Sequence, residues 1–174
     1  MGPRAIALAL LLAPALAHAM PNEPRGFGEV RFGMSQAEVK RVLPGVQPGP
    51  QVADGLLQFL RVEKQSAYGL SPCAVTLRFT RDALYEIIFD CGREAPVVAA
   101  LRKEFGEPTR HQPDSAFWLG ERATVALNRR ARTFAISDRR RMEQVQRNLL
   151  GAVLRQRAKD AARDAGAPGA ALAE

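Results

Sequence analysis

Few residues of this chain have the type and spacing to do chemistry. The two cysteines, Cys73 and Cys91, are too far apart for a Cys-x-x-Cys redox motif or a zinc site. A disulfide between them is the expectation, with two buried thiols as the alternative. His111 is the single histidine after residue 18, and between Pro108 and Pro113 it reads as a loop residue. One imidazole with no nucleophile elbow cannot supply a Ser-His-Asp set. Asp82, Glu86 and Asp90 recur every four positions and read as solvated carboxylates rather than an acid–base pair. Gly106-Glu107-Pro108 is no phosphate loop. We therefore expect no catalytic residue, no metal site and no cofactor, and a protein that is not an enzyme.

What remains is the chemistry of contact. Phe117 and Trp118 are adjacent, so in a strand they point to opposite faces. One is then buried and the other exposed, as interface aromatics are. A buried Trp118 that simply fills the core is the plainer alternative. Arg139, Arg140 and Arg141 open a helix where the macrodipole is positive, an unfavourable placement worth about 0.3–1 kcal/mol per charge before screening. Glu143 is spaced to pair with Arg139 and Arg147. Phe117, Trp118, Arg139, Arg140 and Arg141 form the candidate interface, with a solvated basic helix as the alternative for the arginines.

The element that must hold the cysteines is a hairpin over residues 73–91. Cys73, Val75, Leu77 and Phe79 alternate with polar or small residues, as do Tyr85, Ile87, Phe89 and Cys91. A loop at Arg81-Asp82-Ala83 sets Phe79 opposite Tyr85, Leu77 opposite Ile87, Val75 opposite Phe89 and Cys73 opposite Cys91. A slip of one residue breaks all four matches, so the register is strongly specified.

Around this hairpin the chain reads in order. Arg4 followed by an apolar run to Leu16 and by Ala17-His18-Ala19 has the pattern of a secretory signal peptide, residues 1–19, cleaved after Ala19. No cysteine follows the run, so no lipid anchor is expected, and export suits a disulfide. Gly28–Gly33 reads as a short edge strand. Ser35-Gln36-Ala37-Glu38 is a capping box for a helix presenting Val39, Val42 and Leu43. Pro44–Pro50 reads as a connector. Leu56–Val62 is a strand, and Tyr68–Pro72 a turn. Glu94–Phe105 is a second helix, stopped by Gly106 and Pro108. Ser115–Leu119, Arg122–Asn128 and Arg132–Ile136 are three strands.

Helix, three strands, helix, three strands recurs at roughly 60 residues. The expected fold is α+β, two helix-plus-antiparallel-sheet repeats over residues 20–92 and 93–138, with a basic C-terminal helix over 139–164. That helix carries an apolar stripe of Met142, Val145, Leu149, Ala152 and Val153, expected to cap the sheet over about four turns. Residues 165–174, mostly small with one proline, read as a disordered tail. The formal charge of +7 is uneven, because residues 20–138 hold 16 basic and 14 acidic groups while 139–174 hold 8 and 4.

Phe32-Gly-Met-Ser-Gln-Ala-Glu-Val39, with Phe105-Gly-Glu-Pro108 and Trp118 later, resembles exported bacterial α/β domains of the BamE/SmpA-like and β-lactamase-inhibitor-protein-like type. The resemblance covers the layout of most of residues 28–137, and its motif serves folding. It implies a tandem-repeat, non-enzymatic binding module of the cell envelope. The chain departs from the lipoprotein member of that group in having no lipobox. The expected function is therefore a periplasmic or secreted adaptor acting on an envelope protein, with no nucleic acid partner. The alternative is an anionic-surface binder, for lipopolysaccharide, phospholipid or another polyanion, through the basic helix.

Overall fold

A computed structural model describes residues 20–52, 56–92 and 96–165. The expected leader, the start of the second helix at Glu94 and the tail after Ala165 lie outside the described residues. In chain order come β1 (Gly26–Phe27), β2 (Val30–Arg31), α1 (Gln36–Val42), β3 (Gln47–Val52), β4 (Leu57–Ala67), β5 (Leu70–Thr80) and β6 (Ala83–Asp90). There follow α2 (Val97–Phe105), β7 (Arg110–Gln112), β8 (Ser115–Leu119), β9 (Ala123–Asn128), β10 (Thr133–Asp138) and α3 (Arg139–Ala165). The class is α+β. Eight strands form one antiparallel sheet in the order β3-β4-β5-β6-β10-β9-β8-β7.

Three expectations are corrected. The edge strand over Gly28–Gly33 is a small separate hairpin of β1 and β2. Pro44–Pro50 is more than a connector, because Gln47–Val52 forms the edge strand β3 against β4. An edge strand needs amides on one side only, so Pro48 and Pro50 cost little there. His111 lies in the other edge strand, β7, paired with Ala116 of β8. Each main helix is thus followed by four strands rather than three.

The β5–β6 hairpin has the expected register from Ala74↔Asp90 through Arg78↔Glu86. It then shifts, so that Phe79 faces Leu84 and Tyr85 is the extra residue of a bulge. The shift follows from the turn. Only Arg81 and Asp82 connect the strands, both at positive φ, as a two-residue primed turn requires. Tyr68-Gly69 closes β4–β5 in the same way.

One face of the sheet carries the core. Val75, Leu77, Ile87, Phe89, Phe134, Ile136 and Val125 are at most 1 % exposed. Val39 of α1 and Leu101 and Phe105 of α2 join the same apolar cluster. The local chemistry that seats α1 is the capping box. The Ser35 hydroxyl accepts from the Glu38 amide, and a Glu38 carboxylate oxygen accepts from the Ser35 amide at 2.8 Å. Just before it, Gly33 and Met34 bond to both backbone groups of Leu84. Gly106 ends α2 at φ 78°, and its carbonyl accepts from the Trp118 indole at 2.8 Å.

The third helix docks by its first turns. α3 packs against β10 and β6, with Val145 buried. Met142, Leu149 and Ala152 are half-buried, while Val153 of the expected stripe is 50 % exposed. The stripe therefore covers about three turns, and from Val153 onward every described side chain is exposed.

Candidate functional site

The residues singled out by chemistry are dispersed. Cys73 and Cys91 form a disulfide with Cα atoms 4.0 Å apart, clamping the open end of the hairpin just beyond Ala74↔Asp90. The Asp82 carboxylate accepts from the Gln36 amide at 3.0 Å and so caps α1. Asp90 accepts from the Gly92 amide at 3.1 Å. Glu86 is not a solvated carboxylate, being only 8 % exposed and bonded to Arg78. His111 is exposed. Three carboxylates spaced by four thus do three unconnected jobs.

Phe117 and Trp118 part company as adjacent strand residues must. Trp118 is 1 % exposed with its N–H satisfied by Gly106, so it presents no surface to a partner. Phe117 is half-buried on the other face. That face has neither α1 nor α2 over it, while α3 packs against β6 and β10 with its buried Val145 outside the α1–α2 cluster. The strand register shows what the face is made of. One row of directly paired residues runs Arg61, Thr76, Ile88, Ala135, Ala126, Phe117. The next runs Phe59, Arg78, Glu86, Ser137, Thr124, Leu119. The middle strands therefore offer a floor of Ala, Thr and Ser. Phe59 and Ile88 on one side, and Phe117 and Leu119 on the other, rise above it. Leu119 is 40 % exposed, and Val52, beyond Leu57 on β3, is 48 % exposed.

The fixed polar point of this face is the Arg78–Glu86 pair. Arg78 donates to Glu86 at 2.8 Å, and its guanidinium lies 5.5 Å from the centre of the Phe59 ring. Tyr85, displaced by the bulge, sits beside the same pair and is 2 % exposed. Burial raises the Glu86 carboxyl above its ordinary range, and the nearby Arg78 only partly opposes this. Burial likewise pushes the Tyr85 hydroxyl up. The Arg78 Nε and the Thr80 hydroxyl are buried without a partner among the described residues. The Glu86 carboxyl is thus largely dehydrated, while the Arg78 side chain stays 40 % exposed.

Comparison of the chain with family models, with curated proteins and with solved structures finds no match.

The arginine triplet is better accommodated than its place at a helix start implies. The Asp138 carboxylate accepts from the Arg141 amide at 2.8 Å, a side-chain cap. Asp138 also lies 3.8 Å from the Arg141 guanidinium, and Glu143 lies 3.5 Å from that of Arg139. Arg139 further donates to the Gly120 carbonyl. Of the three, Arg140 alone has no ion pair or hydrogen bond of its side chain among the described residues. Arg139 therefore fastens the start of α3 to the β8–β9 loop, its amide also donating to the Arg122 carbonyl.

A concavity of about 890 Å3 lies between residues 20–28, the Tyr68 turn, Arg122 and the end of α2. Glu23 holds it together by accepting from the Ala123 amide at 2.6 Å and pairing with Arg122. Asn22 donates to the Glu104 carbonyl at 2.9 Å. Tyr68 packs edge-on against Phe89, Phe105 and Phe134, and burial pushes its hydroxyl up.

The face residues Phe59, Arg78, Ile88 and Ala126 were not singled out by sequence. A signal was present in Ile88 and Phe59, which interrupt the polar half of otherwise alternating strands.

Proposed function

We propose that this chain is an exported, non-enzymatic binding module that docks a protein partner on the open face of its sheet. One observation carries the reading. The face turned away from α1 and α2 combines bulky apolar side chains, a small-residue floor and a preformed Arg78–Glu86 pair whose carboxylate is buried, which is the composition of a binding patch. A sheet face with only a solubilising role would carry charged and polar residues at Phe59, Ile88, Phe117 and Leu119.

The finer architecture belongs to the same proposal. Each main helix precedes four strands, and the last strand of each set, β6 and β10, pair at the centre. Strand order reads outward alike in both directions, which supports two repeats related by a two-fold axis. Val39 and Leu101, both 0 % exposed, would be equivalent positions. Export is supported by the leader-like residues 1–19, and a disulfide is compatible with an oxidising compartment. The group suggested by Phe32–Val39 remains our reading of the motif.

The test is site-specific photocrosslinking in envelope extracts. A photoreactive residue at Ile88 or Phe117 should give one discrete adduct, and one at Val98, exposed on α2, should not. Ala126→Arg, which fills the floor, should abolish the adduct. Equal adducts at all three positions, or none at Ile88 and Phe117, would overturn the reading.

A further inference from the structure

The distal part of α3 is the second surface that nothing in the fold explains. Leu150, Val153 and Leu154 are 60, 50 and 55 % exposed. At spacings of three and four they lie on one side of the helix. Arg147 is one turn before Leu150, and Arg157 one turn after Leu154, on that same side. Between residues 147 and 163 the helix carries Arg147, Arg155, Arg157, Lys159 and Arg163 against Asp160 alone. None of these five cations has an ion pair among the described residues, and Asp160 accepts instead from Gln156 at 2.9 Å. From Val153 to Arg163 the helix runs about 15 Å, and every described side chain along it is exposed.

An apolar triplet bracketed by arginines needs an occupant, and charge selects it. A second copy of the arm would set five cations against five, so self-pairing is opposed. No helix among the described residues is long and apolar enough to cross a membrane. A flat anionic surface answers both features, because it accepts the cations broadly and admits three side chains to shallow depth. Arginine stems are apolar and let the charged head stay at the phosphates.

We propose that the distal half of α3 adsorbs to anionic lipid bilayers, with Leu150, Val153 and Leu154 at the headgroup boundary and the basic residues on lipid phosphates. The surface is separate from the sheet face, so the two readings fail independently. The first turns, fastened by Asp138 and Val145, would hold the domain at a fixed distance from the bilayer.

Co-sedimentation of the full chain with vesicles tests this. Phosphatidylglycerol-containing vesicles should bind it, and phosphatidylcholine vesicles should not. Replacing the five cations with Gln should abolish binding. The triple change L150Q, V153Q and L154Q should weaken it by about tenfold and make the remainder fully releasable by salt, whose screening length is about 8 Å at physiological strength. Circular dichroism should show both variants folded, since every changed side chain is exposed. Equal binding to both vesicle types, no binding, or binding untouched by either variant overturns the proposal. So does concentration-dependent dimerisation abolished by the triple change.

Discussion

Phe89 and Ile88 are neighbours in one strand, and each belongs to a different face of the sheet. Phe89 is 0 % exposed, stacks on Phe134 at 4.6 Å and lies in the cluster shared with α1 and α2. Ile88 is half-buried between Thr76 and Ala135, with neither α1 nor α2 above it. The first face is closed by the chain's own helices. The second keeps half-buried apolar side chains, Ile88 and Phe117 among them, outside that cluster. The contrast separates apolar surface that folding consumes from apolar surface open to the proposed partner.

The contrast is tested most strongly by deletion on either side of the same backbone. Phe89→Ala should cost about 3–5 kcal/mol in denaturant unfolding, because it leaves a cavity in a close-packed cluster. Ile88→Ala should cost about 1 kcal/mol yet eliminate the partner adduct. Comparable stability losses would show that the open face is part of the core.

Next in size is the clamp at the end of the hairpin. Replacing Cys73 and Cys91 with Ser should lower stability by about 3 kcal/mol on chain-entropy grounds. Mass spectrometry of protein prepared without reductant should find the two linked. Two thiols would remove the clamp from the account.

Within the closed face, Leu101→Ala should cost about 3 kcal/mol and Val39→Ala about half of that, since fewer methyl groups are lost. Both residues are fully buried, so a change within about 0.5 kcal/mol at either would break the proposed equivalence of α1 and α2.

The smallest effect is a pH slope at the centre of the open face. Glu86 has a raised carboxyl pKa, so the folded state holds its proton more tightly than the unfolded chain does. Its contribution is fully present below the ordinary carboxylate value and is lost as pH rises through the raised one. Glu86→Gln should remove that slope. Wild type should therefore gain on the variant as pH is lowered through the window just above about 4.3. The opposite sign would mean that Arg78 outweighs burial.

Sequence revealed most where pattern and position agree. The β5–β6 register was legible from Ala74 to Arg78, because Val75 and Leu77 had to meet Phe89 and Ile87 at once, though the expected Phe79–Tyr85 match did not form. The cap at Ser35 was legible because its partner lies three residues on. The bulge at Tyr85 was hidden, since Tyr85, Ile87 and Phe89 alternate without interruption. β3 and β7 were hidden for a common reason. With a single neighbour each, they carry Gln-Pro-Gly-Pro and Arg-His-Gln in place of an apolar alternation. The candidate face was least legible. Its rows exist only because β6 pairs with β10 across more than forty residues of sequence, setting Ala135 and Ala126 between Ile88 and Phe117. No local pattern encodes that adjacency.

Those two outer strands bear on how the molecule behaves in a crowd. An open sheet invites stacking end to end, each copy lending backbone groups to the next until fibres or insoluble aggregate result. Pro48 and Pro50 withhold two amides from one border, and three residues give the other border almost no length to offer. Both borders are thus poor templates for a further strand, which disfavours growth of the sheet from copy to copy.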